Sequence, residues 1–82
     1  MTKREKRLER IRQNPSGWTI DELEQIMLDY DIKYLRSKGS HRRYFYVLDG
    51  RKKQITIPVD KPIKPIYVKL VREVIEEIIA NE

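Results

Sequence analysis

The only histidine of the sequence stands in its most cationic stretch. His41 belongs to the run Lys38-Gly39-Ser40-His41-Arg42-Arg43. Cleavage of RNA requires a base that deprotonates a ribose 2′-hydroxyl, a cation that neutralises the phosphorane, and an acid for the leaving oxygen. Surrounding positive charge disfavours the imidazolium form, so His41 is expected to be a neutral base at pH 7. An ordinary surface histidine is the alternative.

The neighbours of His41 are expected to contact RNA, because arginine and lysine side chains bind phosphate oxygens. Four such residues flank the histidine: Arg36, Lys38, Arg42 and Arg43. Gly39 permits close backbone approach or a positive φ, and Ser40 offers a hydroxyl and an amide. No second histidine is available as the acid, so a lysine, or water held by one of the two arginines after His41, would have to protonate the leaving oxygen.

No metal site, cofactor or membrane contact is predicted. The chain has one histidine and no cysteine, which leaves no set of ligands for a metal and excludes disulfides. No apolar run approaches the roughly 20 residues that span a membrane. The charged N-terminus lacks the apolar region of a signal peptide, so a cytoplasmic protein is expected.

Positive charge is concentrated in the middle of the chain. The formal net charge is +5 and the isoelectric point is near 9.6. Eight basic residues and one acidic residue lie between positions 33 and 53, whereas segments 19–31 and 73–82 carry acidic residues and no basic ones. This separation favours RNA or an acidic protein as partner, with a solvated strand face as the alternative. The basic residues between positions 3 and 12 fit either phosphate contact or a solvated helix face.

Capping, periodicity and turn signals predict six elements in a single domain spanning 1–82. Helices are predicted over 3–13 and 20–29, with 1–17 as an N-terminal helical extension that packs weakly. Strands are predicted over 32–38, 42–48 and 54–59, and a helix over 66–80. Tight turns make such strands antiparallel. The prediction is an α+β fold in the order α-α-β-β-β-α, with helices on one face of the sheet and the basic residues on the other.

Several motifs resemble those of one known family. Gly39-Ser40-His41, preceded by the strand residues 34–38, looks like the hallmark of HicA-type toxins. Ile55-Thr56-Ile57-Pro58 is similar to the family's third strand, and segment 61–65 leads into the final helix in the expected order. The resemblance covers the chain from position 18 to its end.

The resemblance implies a dsRBD-like three-stranded fold, cleavage of mRNA through His41, and inhibition by a HicB-type antitoxin. It extends the expected RNA contacts to Lys64, and it favours Tyr44 and Tyr46 in the core with Phe45 as the more exposed ring. The predicted function is therefore a metal-independent endoribonuclease, the toxin of a toxin–antitoxin system. The alternatives are a non-catalytic module of the double-stranded-RNA-binding type and a protein that engages only an acidic partner.

Overall fold

A computed structural model describes residues 2–82. Its elements run in the order α1 (Lys3–Gln13), α2 (Ile20–Asp29), β1 (Lys33–Lys38), β2 (His41–Leu48), β3 (Arg51–Pro58) and α3 (Pro65–Ala80). This confirms the predicted α+β fold with three antiparallel strands in one open sheet. No helix within residues 2–82 combines the length and apolar character needed to cross a membrane.

The helices begin where the sequence supplies caps. The Thr2 side chain accepts a hydrogen bond from the backbone N–H of Glu5 at the start of α1. Thr19 and Glu22 form a full capping box at the start of α2, which satisfies two amides that would otherwise lack partners. Because caps are local signals, the predicted bounds of both helices agree with the structure.

The sheet has the order β1-β2-β3 and two tight turns. Asp49 and Gly50 both have positive φ, 53° and 72°, which is the pattern of a two-residue type I′ turn. That turn pairs Leu48 directly with Arg51, so β3 begins three residues earlier than the predicted start at position 54. β2 begins at His41, one residue before the predicted start at position 42.

The helices cover one face of the sheet and enclose the core. Tyr44 and Tyr46 are 1% and 6% exposed, which confirms their predicted place in the core. They pack with Ile57 of β3 and with apolar residues of all three helices. We call the uncovered side of the sheet the open face.

Helix α1 is attached more firmly than its few apolar residues predict. Ile11 is fully buried, and Arg7 forms a bidentate pair with Asp29 at 2.7 and 2.8 Å. Two further ion pairs join Arg10 to Glu22 and Arg12 to Glu76. The arginines of α1 also stack on core rings: Arg4 lies over Tyr30 and Arg10 over Trp18. The basic residues of this helix thus contribute to its packing, a role that neither reading of the sequence included.

Candidate active site

The strand register brings His41 beside cationic side chains on the open face. Lys38 is the cross-strand partner of His41, and Arg36 is the partner of Arg43. Directly opposed residues of an antiparallel pair share one face, with Cβ atoms about 4.5–5.5 Å apart. On the other side of β2, Thr56 stands opposite Arg43.

These side chains line a single concavity, which we call the His41 pocket. It has a volume of about 470 Å³ and is lined by Arg36, Ser37, Lys38, His41, Arg43 and Thr56. His41 and Lys38 are exposed, and Arg43 is half-buried. Within residues 2–82, no hydrogen bond or ion pair engages the side chains of Arg36, Lys38 or Arg43. Three cations without acidic partners around one concavity form a site for an anion.

A bulge in β1 points two of these cations to the open face. Tyr34 pairs with Tyr44 and Arg36 pairs with Arg43, so Leu35 is an extra residue in the ladder. Strict alternation from Tyr34 would turn Arg36 and Lys38 toward the helices. The bulge reverses that orientation, a use of bulges that is common beside functional sites.

The turn between β1 and β2 needs glycine for its backbone. Gly39 has φ of +59°, and a Cβ placed there would meet nothing within 4 Å. A side chain at position 39 would fit, but the left-handed backbone there is unfavourable for residues other than glycine. The carbonyl of Ser40 accepts a hydrogen bond of 2.6 Å from the backbone N–H of Val59, which ties the turn to the segment after β3. The structure thus gives Gly39 and Ser40 roles in holding the pocket in shape.

Arg42 lies apart from the pocket. Its Nη1 donates to Glu24 Oε1 at 2.6 Å, and the hydroxyl of Tyr44 donates to the same oxygen at 2.6 Å. Burial and then this bond to Glu24 raise the pKa of Tyr44, and the bond to Glu24 also raises the pKa of Arg42. Phosphate contact by Arg42 stays a prediction, and it would require the guanidinium to leave Glu24.

Lys64 also lies outside the pocket. It is exposed and occupies the N-cap position of α3, just before Pro65. Ser37 and Thr56, by contrast, line the pocket although the sequence reading did not select them. Thr56 could have been found by counting back from the Asp49-Gly50 turn, which places positions 43 and 56 opposite each other.

The side chains that reach the pocket from the open face are one imidazole, one ammonium, two guanidinium groups and the hydroxyl of Thr56, whereas Ser37 pairs with Arg42 on the other face. Across residues 2–82, no three His, Cys, Asp or Glu side chains cluster in a way that would hold a metal ion. Of the pocket groups, the imidazole and the ammonium are the ones that can transfer a proton, because a guanidinium does not lose its proton in proteins.

Comparisons with known proteins add no relative. No family model matches the chain, and neither a curated protein nor a solved structure gives a significant match. The likeness to HicA-type toxins therefore rests on sequence motifs alone, at residues 34–41, 55–58 and 61–65.

Proposed function

We propose that this protein is a cytoplasmic, metal-independent endoribonuclease of the HicA toxin type, which cleaves mRNA through His41. The observation that supports the proposal best is the His41 pocket. An exposed imidazole lies on the same face as three cations that have no acidic partner in residues 2–82. That combination provides a base and a site for a phosphodiester in one place.

In the proposed reaction, His41 accepts the proton of a ribose 2′-hydroxyl. The 2′-oxygen then attacks the adjacent phosphorus, and the bond from phosphorus to the 5′-oxygen breaks. Arg36 and Arg43 neutralise the charge of the phosphorane. Lys38, opposite His41, donates the proton to the departing 5′-oxygen. The products are a 2′,3′-cyclic phosphate and a 5′-hydroxyl end.

The test is cleavage of RNA by the purified protein in the presence of EDTA. We expect fragments that end in cyclic phosphate, and no cleavage of DNA, which lacks the nucleophile. His41→Ala should slow cleavage by about 10²–10⁴-fold, the usual contribution of a general base. Lys69→Ala is the matched control, because it removes an exposed side chain from α3, on the helical side of the sheet.

Intact RNA, or equal cleavage by wild type and His41→Ala, would contradict the enzyme proposal. RNA binding without cleavage would leave the second candidate, a non-catalytic module of the double-stranded-RNA-binding type. The cationic open face supports that candidate equally well, so only turnover separates the two. Failure to bind RNA at any salt concentration would instead favour a protein that engages an acidic partner alone.

A partner follows from the same proposal. An unregulated ribonuclease would damage its own cell, so we expect a HicB-type antitoxin whose acidic surface covers the open face. Such a complex should bury about 1,200–2,000 Å² in total. It should also raise the melting temperature of this small domain, because the antitoxin would bind only the folded state.

Co-expression tests the partner. The product of the adjoining gene should co-purify with this chain and abolish the growth arrest that the chain causes alone. A neighbour that neither binds nor rescues would remove the toxin–antitoxin proposal while leaving the RNA chemistry intact.

A further inference from the structure

A second concavity lies on β2 beyond the His41 pocket. It has a volume of about 340 Å³ and is lined by Tyr30, Asp31, Lys33, Phe45, Tyr46, Val47 and Ile78. Phe45 is half-buried, so part of its ring is accessible to a ligand. Five of the seven lining residues are aromatic or apolar and two, Asp31 and Lys33, are charged. A mainly apolar lining with a few polar groups is the usual form of a site for an organic ligand.

The two concavities lie along one line of side chains. His41, Arg43 and Phe45 are alternate residues of β2 and therefore share the open face. His41 and Phe45 are four residue steps apart along β2, so their backbone positions are separated by about 14 Å. A chain that is held at its phosphates by Arg43 and cleaved at His41 would pass over Phe45.

The neighbours of Phe45 suit a nucleotide. Lys33 on β1 and Gln54 on β3 are its two direct cross-strand partners. The ammonium of Lys52 lies 4.6 Å from the centre of its ring. The lysines would meet phosphates, and the amide of Gln54 offers both a donor and an acceptor to a base edge.

We infer that Phe45 forms the floor of a subsite for an unpaired base of the RNA substrate, so that single-stranded RNA is the preferred substrate. This inference rests on the proposed function. A base stacks on an aromatic ring only when it has left its own helix, because bases within a duplex already stack on one another. The base would displace Lys52 from the ring, since base stacking is the stronger contact. The released ammonium would then be close to the RNA backbone.

The experiment measures binding of a short, unstructured oligoribonucleotide by fluorescence anisotropy, with every variant carrying His41→Ala to prevent cleavage. Phe45→Leu should weaken binding by about 5- to 150-fold, the range for loss of one stacked base. Phe45→Tyr keeps the ring and should bind nearly as well as the parent protein. Tyr34→Leu is the matched control, because Tyr34 is 50% exposed but lies on the opposite side of the sheet.

A series of the same oligonucleotide, each member lacking the base at one position, identifies the base that stacks on Phe45. At one position, loss of the base should weaken binding to the parent protein but have no further effect on Phe45→Leu. The fully paired duplex should bind more weakly than the single strand and be indifferent to Phe45→Leu.

Equal binding by Phe45→Leu and the parent, or equal weakening by Phe45→Leu and Tyr34→Leu, would overturn the subsite. Duplex binding as tight as single-strand binding would overturn the substrate class. Absence of any RNA binding by the parent would instead contradict the proposed function, so the two failures are distinguishable.

Discussion

Lys38 and His41 face each other across a two-residue turn, and the proposed reaction needs two groups that move protons. One imidazole cannot accept the 2′-hydroxyl proton and donate a proton to the 5′-oxygen in the same step. The remaining groups of the His41 pocket on the open face are guanidinium groups, which keep their protons, and the hydroxyl of Thr56. Lys38 is therefore the residue to test as the acid.

A substrate with sulfur in place of the bridging 5′-oxygen tests this role. A thiolate leaves without being protonated, so Lys38→Ala should cleave this substrate almost as fast as wild type. On ordinary RNA the same variant should be slower by about 10²–10⁴-fold. Lys38→Arg keeps the charge without a transferable proton, so it should behave like Lys38→Ala: slow on ordinary RNA and nearly as fast as wild type on the sulfur-containing substrate. If Lys38→Ala is equally slow on both substrates, Lys38 only holds phosphate.

The two arginines after His41 point to opposite faces, and salt dependence should separate them. Arg43 lines the His41 pocket, whereas Arg42 is paired with Glu24 at 2.6 Å. Arg43→Ala should flatten the dependence of log K on log salt by about 0.7 for single-stranded RNA. Arg42→Ala should leave that slope unchanged and lower the melting temperature, because Glu24 loses a partner. Equal flattening by both variants would show that Arg42 leaves Glu24 to contact RNA.

At the scale of elements, α1 behaves as part of the domain. Its buried Ile11 and its ion pairs connect it to both α2 and α3. The two residues of each ion pair are separated in the sequence by between 12 and 64 positions. Sequence pattern could therefore predict the helix but not its attachment.

Two truncations within α1 test how firmly the helix is attached. Ile11→Ala should lower the free energy of unfolding by about 2–5 kcal/mol, as for other fully buried aliphatic residues. Leu8→Ala is the control, because Leu8 is only partly buried against the core, and its effect should be smaller. Urea denaturation measures both. Small and equal losses would show that α1 is a loosely attached extension.

At the scale of the whole molecule, the charges are sorted by face. Four acidic residues of α2 and α3 have arginine partners: Glu22, Asp29 and Glu76 pair with arginines of α1, and Glu24 pairs with Arg42. The cations of the His41 pocket have no such partner within residues 2–82. The open face therefore carries unpaired positive charge, which would attract the proposed RNA substrate over a distance.

Pairing of this kind makes folding sensitive to acid. The hydrogen bond from Arg10, followed by the backbone N–H of Thr19, lowers the pKa of Glu22 below its ordinary value of 4.5. A carboxyl group with a lowered folded-state pKa stabilises the fold above its unfolded-state pKa, and that contribution is lost as pH falls through the folded-state value. Wild type should therefore melt at progressively lower temperature as the pH falls below about 4.5.

Glu22→Gln isolates this contribution, because glutamine retains the capping acceptor and cannot ionise. It should melt below wild type at pH 7, and the difference should shrink as the pH approaches 3. A difference that stays constant with pH would show that the charge of Glu22 does not stabilise the fold.

The sequence predicted the helices of this fold better than the details of the site. Capping threonines and apolar periodicity are local, and both helix bounds follow from them. The orientation of Arg36 and Lys38 depends on a bulge at Leu35, and no residue type in β1 predicts that bulge. The pairing of Arg42 with Glu24 likewise depends on how α2 lies across the sheet. Alternation along β2 was thus enough to separate Arg43 from Arg42, but it could not give the face of Arg36 and Lys38 on β1.

The bulge at Leu35 also bears on how copies of this protein behave at high concentration. β1 and β3 are the two edges of the sheet, and an exposed straight edge is a template for strand pairing between molecules. β3 carries Arg51, Lys52 and Lys53 and ends in Pro58, which discourages such pairing. β1 also carries three basic residues but has no proline, and its irregular ladder further interrupts the edge. Deleting Leu35 would leave Arg36 and Lys38 on the open face but straighten this edge, so the shortened protein should bind RNA yet polymerise in concentrated solution, which light scattering would detect.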